Sequence, residues 1–152
     1  MRKQGRIDMS RFVIEQAYYF DAPVKKVFQA LTYSKVLVKW FLSKAKVVPK
    51  KGGSYSFDWL GGYHMTGTVK RFEMNKAVSF SWSDKLKSGE WAKTTASFKM
   101  AKKGRGTLLK LRHTGFKDPK HFADCASRWG YYLTNMKSVL DYDKDLRSKY
   151  DW

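Results

Sequence analysis

Few side chains in this sequence can move protons, attack a carbon centre or hold a metal. The histidines are His64, His113 and His121, and the one cysteine is Cys125. No two histidines stand four apart on one helix and Cys125 has no CxxC partner, so no metal site is expected. A single cysteine excludes an internal disulfide and fits a reducing compartment. No Ser-His-Asp or Cys-His order follows from the spacing, and no GxSxG turn or phosphate-binding glycine loop occurs. Gly52-Gly53 and Gly61-Gly62 read as turns. Asp58 and Glu90 are the acids nearest to aromatic strand ends, but nothing pairs them as acid and base. No catalytic residue is assigned and no cofactor is expected.

His113 shares a strand face with Leu109 and Leu111. Pointing inward with them, it is either a core histidine satisfied by one hydrogen bond or a polar contact in a cavity, titrating near neutrality. Cys125, one position before Ala126 on the last helix, reads as a buried, inert thiol. The other inward candidates are apolar. The last helix offers Phe122, Trp129, Leu133 and Met136. The strands offer Tyr18, Phe20, Phe57, Trp82, Phe98 and Leu111. Trp40 and Phe41, on a short helix, are placed at the mouth. An apolar list with a few polar groups suits a ligand pocket. The same residues fill a core if they only pack, as most buried aromatics do. Ten Phe, nine Tyr and six Trp are enough for either outcome.

The elements that position these residues follow from periodicity. Residues 11–20 alternate, with Phe12, Ile14, Gln16, Tyr18 and Phe20 on one face, so a strand is expected. Asp21-Ala22-Pro23 stops it and opens a short helix carrying Val24, Val27, Phe28 and Leu31. Ser34 is placed as the cap of a second short helix with Leu37, Val38, Trp40 and Phe41. Lys44, Lys46, Lys50 and Lys51 fall where loops and strand ends are read. Tyr55, Phe57 and Trp59 alternate after the Gly52-Gly53 turn. Residues 63–72 form a longer strand with Met65, Gly67 and Val69 on one side. Asn75-Lys76 turns the chain. Val78, Phe80 and Trp82 alternate with serines in a one-sided strand, and 85–89 is a polar loop. Strands are expected at 91–100 and 107–114, joined by a hairpin at 102–106. Asp118-Pro119 then caps a long helix with an apolar stripe of Phe122, Ala126, Trp129, Leu133, Met136 and Leu140. Residues 141–152 extend that helix or fray.

The 152 residues suit one domain with a full core, and 43% are hydrophobic. There is no repeat and no linker. No apolar run approaches the roughly 20 residues a membrane span needs. Residues 1–11 form a basic extension that does not read as a signal peptide, and a cytoplasmic location is expected. Lys plus Arg number 31 against 13 acids, a net charge of +18. The resulting field attracts anions, whether nucleic acid, anionic lipid or an acidic protein. Spread along loops and strand ends, that charge does not by itself specify nucleic-acid binding.

In order, the pieces resemble the family named for the activator of the heat-shock-protein-ninety ATPase, a branch of the START-like (helix-grip) superfamily. Asp21-Ala22-Pro23, the run from Val27 to Thr32, and Trp40-Phe41 resemble its opening. Gly52-Gly53-Ser54-Tyr55-Ser56-Phe57 resembles its first hairpin. Gly67-Thr68-Val69, the run from Val78 to Trp82, Gly106-Thr107-Leu108-Leu109 and His113-Thr114-Gly115-Phe116 resemble later strands. Trp129-Gly130, Leu133 and Met136-Lys137 resemble its C-terminal helix. Asn75 stands where the family usually has Pro. The resemblance implies an α+β helix-grip fold over 12–148: a curved antiparallel sheet of six or seven strands around a long C-terminal helix, with two short helices after the first strand. It implies a module without a defined reaction. Three functions fit: a cavity binding a small hydrophobic or aromatic ligand, with His113, Tyr18 and Gln16 orienting it; docking of an acidic partner, a chaperone by resemblance; or a cyclase- or aromatase-like enzyme, which needs an acid–base pair in the cavity.

Overall fold

The structure is a computed structural model that describes residues 12–148. The basic extension expected over 1–11 lies outside the described residues, as does the end of the tail, 149–152. The chain runs β1 (Ile14–Phe20), α1 (Val24–Thr32), α2 (Ser34–Trp40), β2 (Lys44–Val47), β3 (Ser54–Asp58), β4 (His64–Glu73), β5 (Ala77–Lys85), β6 (Trp91–Lys103), β7 (Gly106–Thr114) and α3 (Pro119–Tyr142). The strands form one seven-stranded curved sheet in the order β1-β7-β6-β5-β4-β3-β2, each neighbour antiparallel. This is the expected helix-grip architecture.

Period-two alternation decides which face each strand buries. In β7, Leu109, Leu111 and His113 are buried while Lys110 and Arg112 are exposed. In β5, Val78, Phe80, Trp82 and Asp84 all point inward. The inner face packs on α3, and Gln16 Nε2 of β1 donates to the Ala126 carbonyl across that contact. Gly67 opposes Tyr55 in the β3–β4 register. A Cβ at Gly67 would meet the Tyr55 ring at 2.5 Å, so only glycine lets that ring lie across β4.

Several expectations are corrected. Lys44–Val47 is an edge strand, not a loop. Its alternating lysines face outward, a common device at sheet edges. Ser34 does not cap α2. Tyr33 does, without a side-chain bond, because one residue closes α1 through its N–H to Gln29 and opens α2 through its carbonyl. Strand β5 continues past Trp82 to Lys85. Helix α3 stops at Tyr142, where Asp143 takes the left-handed conformation at φ 53°. The tail then folds back: Arg147 donates to the carbonyls of Val38 and Leu42, and the Leu146 N–H to Asn135 Oδ1. Asp118 caps α3 by accepting from the His121 N–H, with Pro119 in the first turn, as the sequence indicates. No helix among the described residues is long and apolar enough to cross a membrane.

Candidate functional site

Between the sheet, α3 and the end of α2 lies a cavity of about 340 Å³. Its walls are aromatic: Phe41 from just after α2, Trp59 and Tyr63 flanking the β3–β4 turn, Trp82 of β5, and Trp129 and Tyr132 of α3. The rings hold one another in edge-to-face and stacked contacts. Phe41 sits 5.3 Å from Trp59, 5.5 Å from Trp129 and 5.0 Å from Tyr132, and Trp82 sits 5.2 Å from Trp129. Such pairing fixes each ring beyond what burial alone does. Met65 closes one side, and the polar lining comes from Asp84, Cys125 and Arg128.

Asp84 is the chemical centre of this lining. It is 5% exposed and accepts bonds on both oxygens. The Tyr63 hydroxyl donates to Oδ1 at 2.8 Å. Oδ2 lies 2.8 Å from His121 Nε2 and 3.6 Å from Cys125 Sγ. Burial pushes the Cys125 thiol up to about 12, and the charge of Asp84 adds to the shift. It is therefore no thiolate nucleophile at neutral pH. Burial, and then Asp84, also raise the Tyr63 phenol, which keeps it a donor. Asp84, His121 and Cys125 bring one carboxylate, one imidazole and one thiol together, donor types that a metal ion takes.

The expected site residues divide. Phe41, Trp82 and Trp129 line the cavity. Trp40 does not stand at the mouth: it is fully buried, its Nε1 donating to the Ala30 carbonyl at 2.8 Å. Phe20, Phe57, Phe98, Leu111, Leu133 and Met136 are core residues outside the lining. Phe122 is half-buried against Phe12, and the Tyr18 hydroxyl donates to Gln16 Oε1 beneath α3, so neither Tyr18 nor Gln16 faces the cavity. His113 is buried with both nitrogens taken. Trp129 Nε1 donates to Nδ1 at 2.9 Å, and Nε2 pairs with Thr94 Oγ1 at 2.6 Å. Burial pushes its pKa down to about 3, far from neutrality.

Asp84 and the His121–Cys125 pair escaped the sequence reading, although signals for both exist. The inward positions 78, 80 and 82 continue to 84, but an acid next to a polar loop looks like turn chemistry. His121 and Cys125 are four apart on α3, so they share one face. Asp58 is not unpaired either: it meets His64 Nδ1 at 2.7 Å across the β3–β4 pair, at an exposed position outside the lining.

A model of the family described as "Activator of Hsp90 ATPase homolog 1-like protein" matches residues 21–141. A search of curated proteins finds no match. Protein MLL2253 from Mesorhizobium loti is similar in structure, with TM-score 0.77, 18% identity, and coverage of 87% of this chain and 98% of its own. The Aha1 dimer from Colwellia psychrerythraea gives TM-score 0.76 and 23% identity over 87% of this chain and 98% of that one. PFC0360w, an HSP90 activator from Plasmodium falciparum, gives TM-score 0.69 and 20% identity over 84% and 95%. At these identities the likenesses establish the fold.

Proposed function

We propose that this chain, which belongs to the activator of Hsp90 ATPase homologue 1-like family, is a binding module whose cavity takes a small, flat, apolar or aromatic molecule carrying one polar group. The observation that carries the reading is the cavity itself. Its 340 Å³ falls within the roughly 300–1,000 Å³ of small-molecule pockets. Its walls include three tryptophans, which suit a flat ring system, and its polar groups are few and placed together. Asp84 offers an acceptor and Arg128 a donor, enough to orient one polar substituent.

Native mass spectrometry of the protein from its own host, at low and high salt, tests this. The expected result is an adduct of a few hundred daltons, the rough size of a pocket-filling molecule, that survives high salt. Added ligand of that class should quench emission from Trp59, Trp82 and Trp129. A bare protein, with no quenching by any of a panel of bicyclic and tricyclic aromatics, would sink the reading.

A second reading is favoured by the +18 net charge: docking of an acidic protein through the basic exterior. The family name and the PFC0360w likeness fit that reading. The enzyme reading required an acid–base pair at the cavity. Asp84 with His121 supplies the residue types, and nothing in the lining identifies a substrate to turn over.

A further inference from the structure

We propose that Asp84, His121 and Cys125 form a binding site for a divalent, borderline-soft cation of the zinc kind, held by Asp84 Oδ2, His121 Nε2 and Cys125 Sγ with a fourth position facing the aromatic cavity. The inference stands apart from the small-molecule reading, because the cation needs no organic ligand.

The donor set comes first. One sulfur, one imidazole nitrogen and one carboxylate oxygen suit zinc, and three protein ligands plus an open position is the pattern of accessible zinc sites. The geometry is close to what the ion needs. All three donor atoms lie within 4.8 Å of one another. Oδ2 stands 2.8 Å from Nε2 and 3.6 Å from Sγ. Donors about 2.0–2.3 Å from a tetrahedral ion stand roughly 3.3–3.5 Å apart, so the two Oδ2 pairs need only shifts of tenths of an ångström, and the Nε2–Sγ pair, within 4.8 Å, has further to close. The site is carried by two regular elements. His121 and Cys125 sit one turn apart on α3, and Asp84 sits on β5.

The surroundings support a cation better than they support a closed hydrogen-bond cluster. As a cluster, the trio holds the Cys125 thiol only by a weak 3.6 Å sulfur contact, whereas the buried His121 Nδ1 lacks a partner in either arrangement. A dication with one carboxylate and one thiolate is neutral overall, which removes the cost of a lone charge out of water. The Tyr63 hydroxyl holds Oδ1 and leaves Oδ2 directed at the ion, the role of an outer partner that orients a ligand. Asp84 and Cys125 both line the cavity, which provides an entry path. Binding displaces the Cys125 proton, so it releases acid and weakens as pH falls.

The test uses untagged full chain, stripped with chelator and titrated with Co²⁺ and then Zn²⁺. One equivalent of Co²⁺ should bind with the intense absorption of a thiolate–cobalt bond, and Zn²⁺ should bleach it. Cys125→Ser should lose that absorption, with a thermal melt confirming that it folds. Tyr63→Phe keeps all three ligands and changes a residue at the rim; it should weaken the metal by about 10–100-fold. Absence of the thiolate band in the wild type would overturn the site. So would an unchanged spectrum in Cys125→Ser, which puts the metal elsewhere, or an unchanged affinity in Tyr63→Phe.

Discussion

His113 shows what a buried polar side chain does in this fold. Trp129 donates to Nδ1, so in the neutral ring Nε2 carries the proton and donates to Thr94 Oγ1, which in turn donates to the Trp82 carbonyl at 3.3 Å. The bonds run one way and fix a single tautomer. A second proton on Nδ1 would face the Trp129 N–H donor to donor. Burial therefore lowers the folded-state pKa to about 3 from 6.5. The unfolded chain takes up this proton below about 6.5 and the folded chain does not until about 3. The contribution of His113 is thus complete above about 6.5 and is lost as pH falls through that window, on the order of 5 kcal/mol in all. Urea unfolding from pH 7 to 4 checks this. The wild type should lose stability more steeply than His113→Gln, which has no proton to take up. Parallel slopes would show that the ring does not titrate as its bonds require. The same residue shows the limit of sequence: its inward direction was legible from Leu109 and Leu111, and its partners were not, because Thr94 and Trp129 come from another strand and a helix.

The elements divide in the same way. Strong periodicity placed α3 and the central strands. What it missed had polar residues at buried positions or charged ones at an edge. Of the apolar stripe on α3, Trp129, Leu133 and Met136 are buried while Phe122, Ala126 and Leu140 are only half-buried, and His121, Cys125, Tyr132 and Asn135 are buried in their place. Apolarity drew the reading slightly off the face that actually packs. Asn135 ties three segments: Nδ2 donates to the Trp40 carbonyl and to Asp145 Oδ1, and Oδ1 accepts from the Leu146 N–H. Through it the tail is strapped to the ends of α2 and α3. Asn135→Ala leaves the buried Trp40 carbonyl without its donor and removes the bonds to Asp145 and Leu146, so that the tail is held chiefly by Arg147. It should lower the unfolding free energy by about 2–4 kcal/mol in urea titrations. A loss under about 0.5 kcal/mol, the level of an ordinary surface change, would mean the strap adds nothing.

At the scale of the molecule, two features answer to different forces. The cavity is an apolar, aromatic interior whose hold on a ligand comes from area removed from water. The exterior carries the +18 charge, with Lys99, Lys110 and Arg112 exposed on the outer face of the central strands. Attraction between exposed charges is screened beyond about 8 Å at physiological ionic strength, whereas apolar burial barely responds to salt. The two functional readings therefore separate in one titration series. Fluorescence anisotropy of labelled polyglutamate, a stand-in for an acidic partner, should show binding that weakens about tenfold or more from low to physiological salt. Over the same range, quenching of the cavity tryptophans by an aromatic ligand should keep its midpoint. The two should also be additive, because a filled cavity leaves the outer face unchanged. If polyglutamate binds weakly even at low salt while the ligand midpoint holds, the charge serves no docking role and the cavity alone defines the module. If instead both midpoints move together with salt, the ligand is held by charge, and Arg128 rather than the ring walls is what holds it.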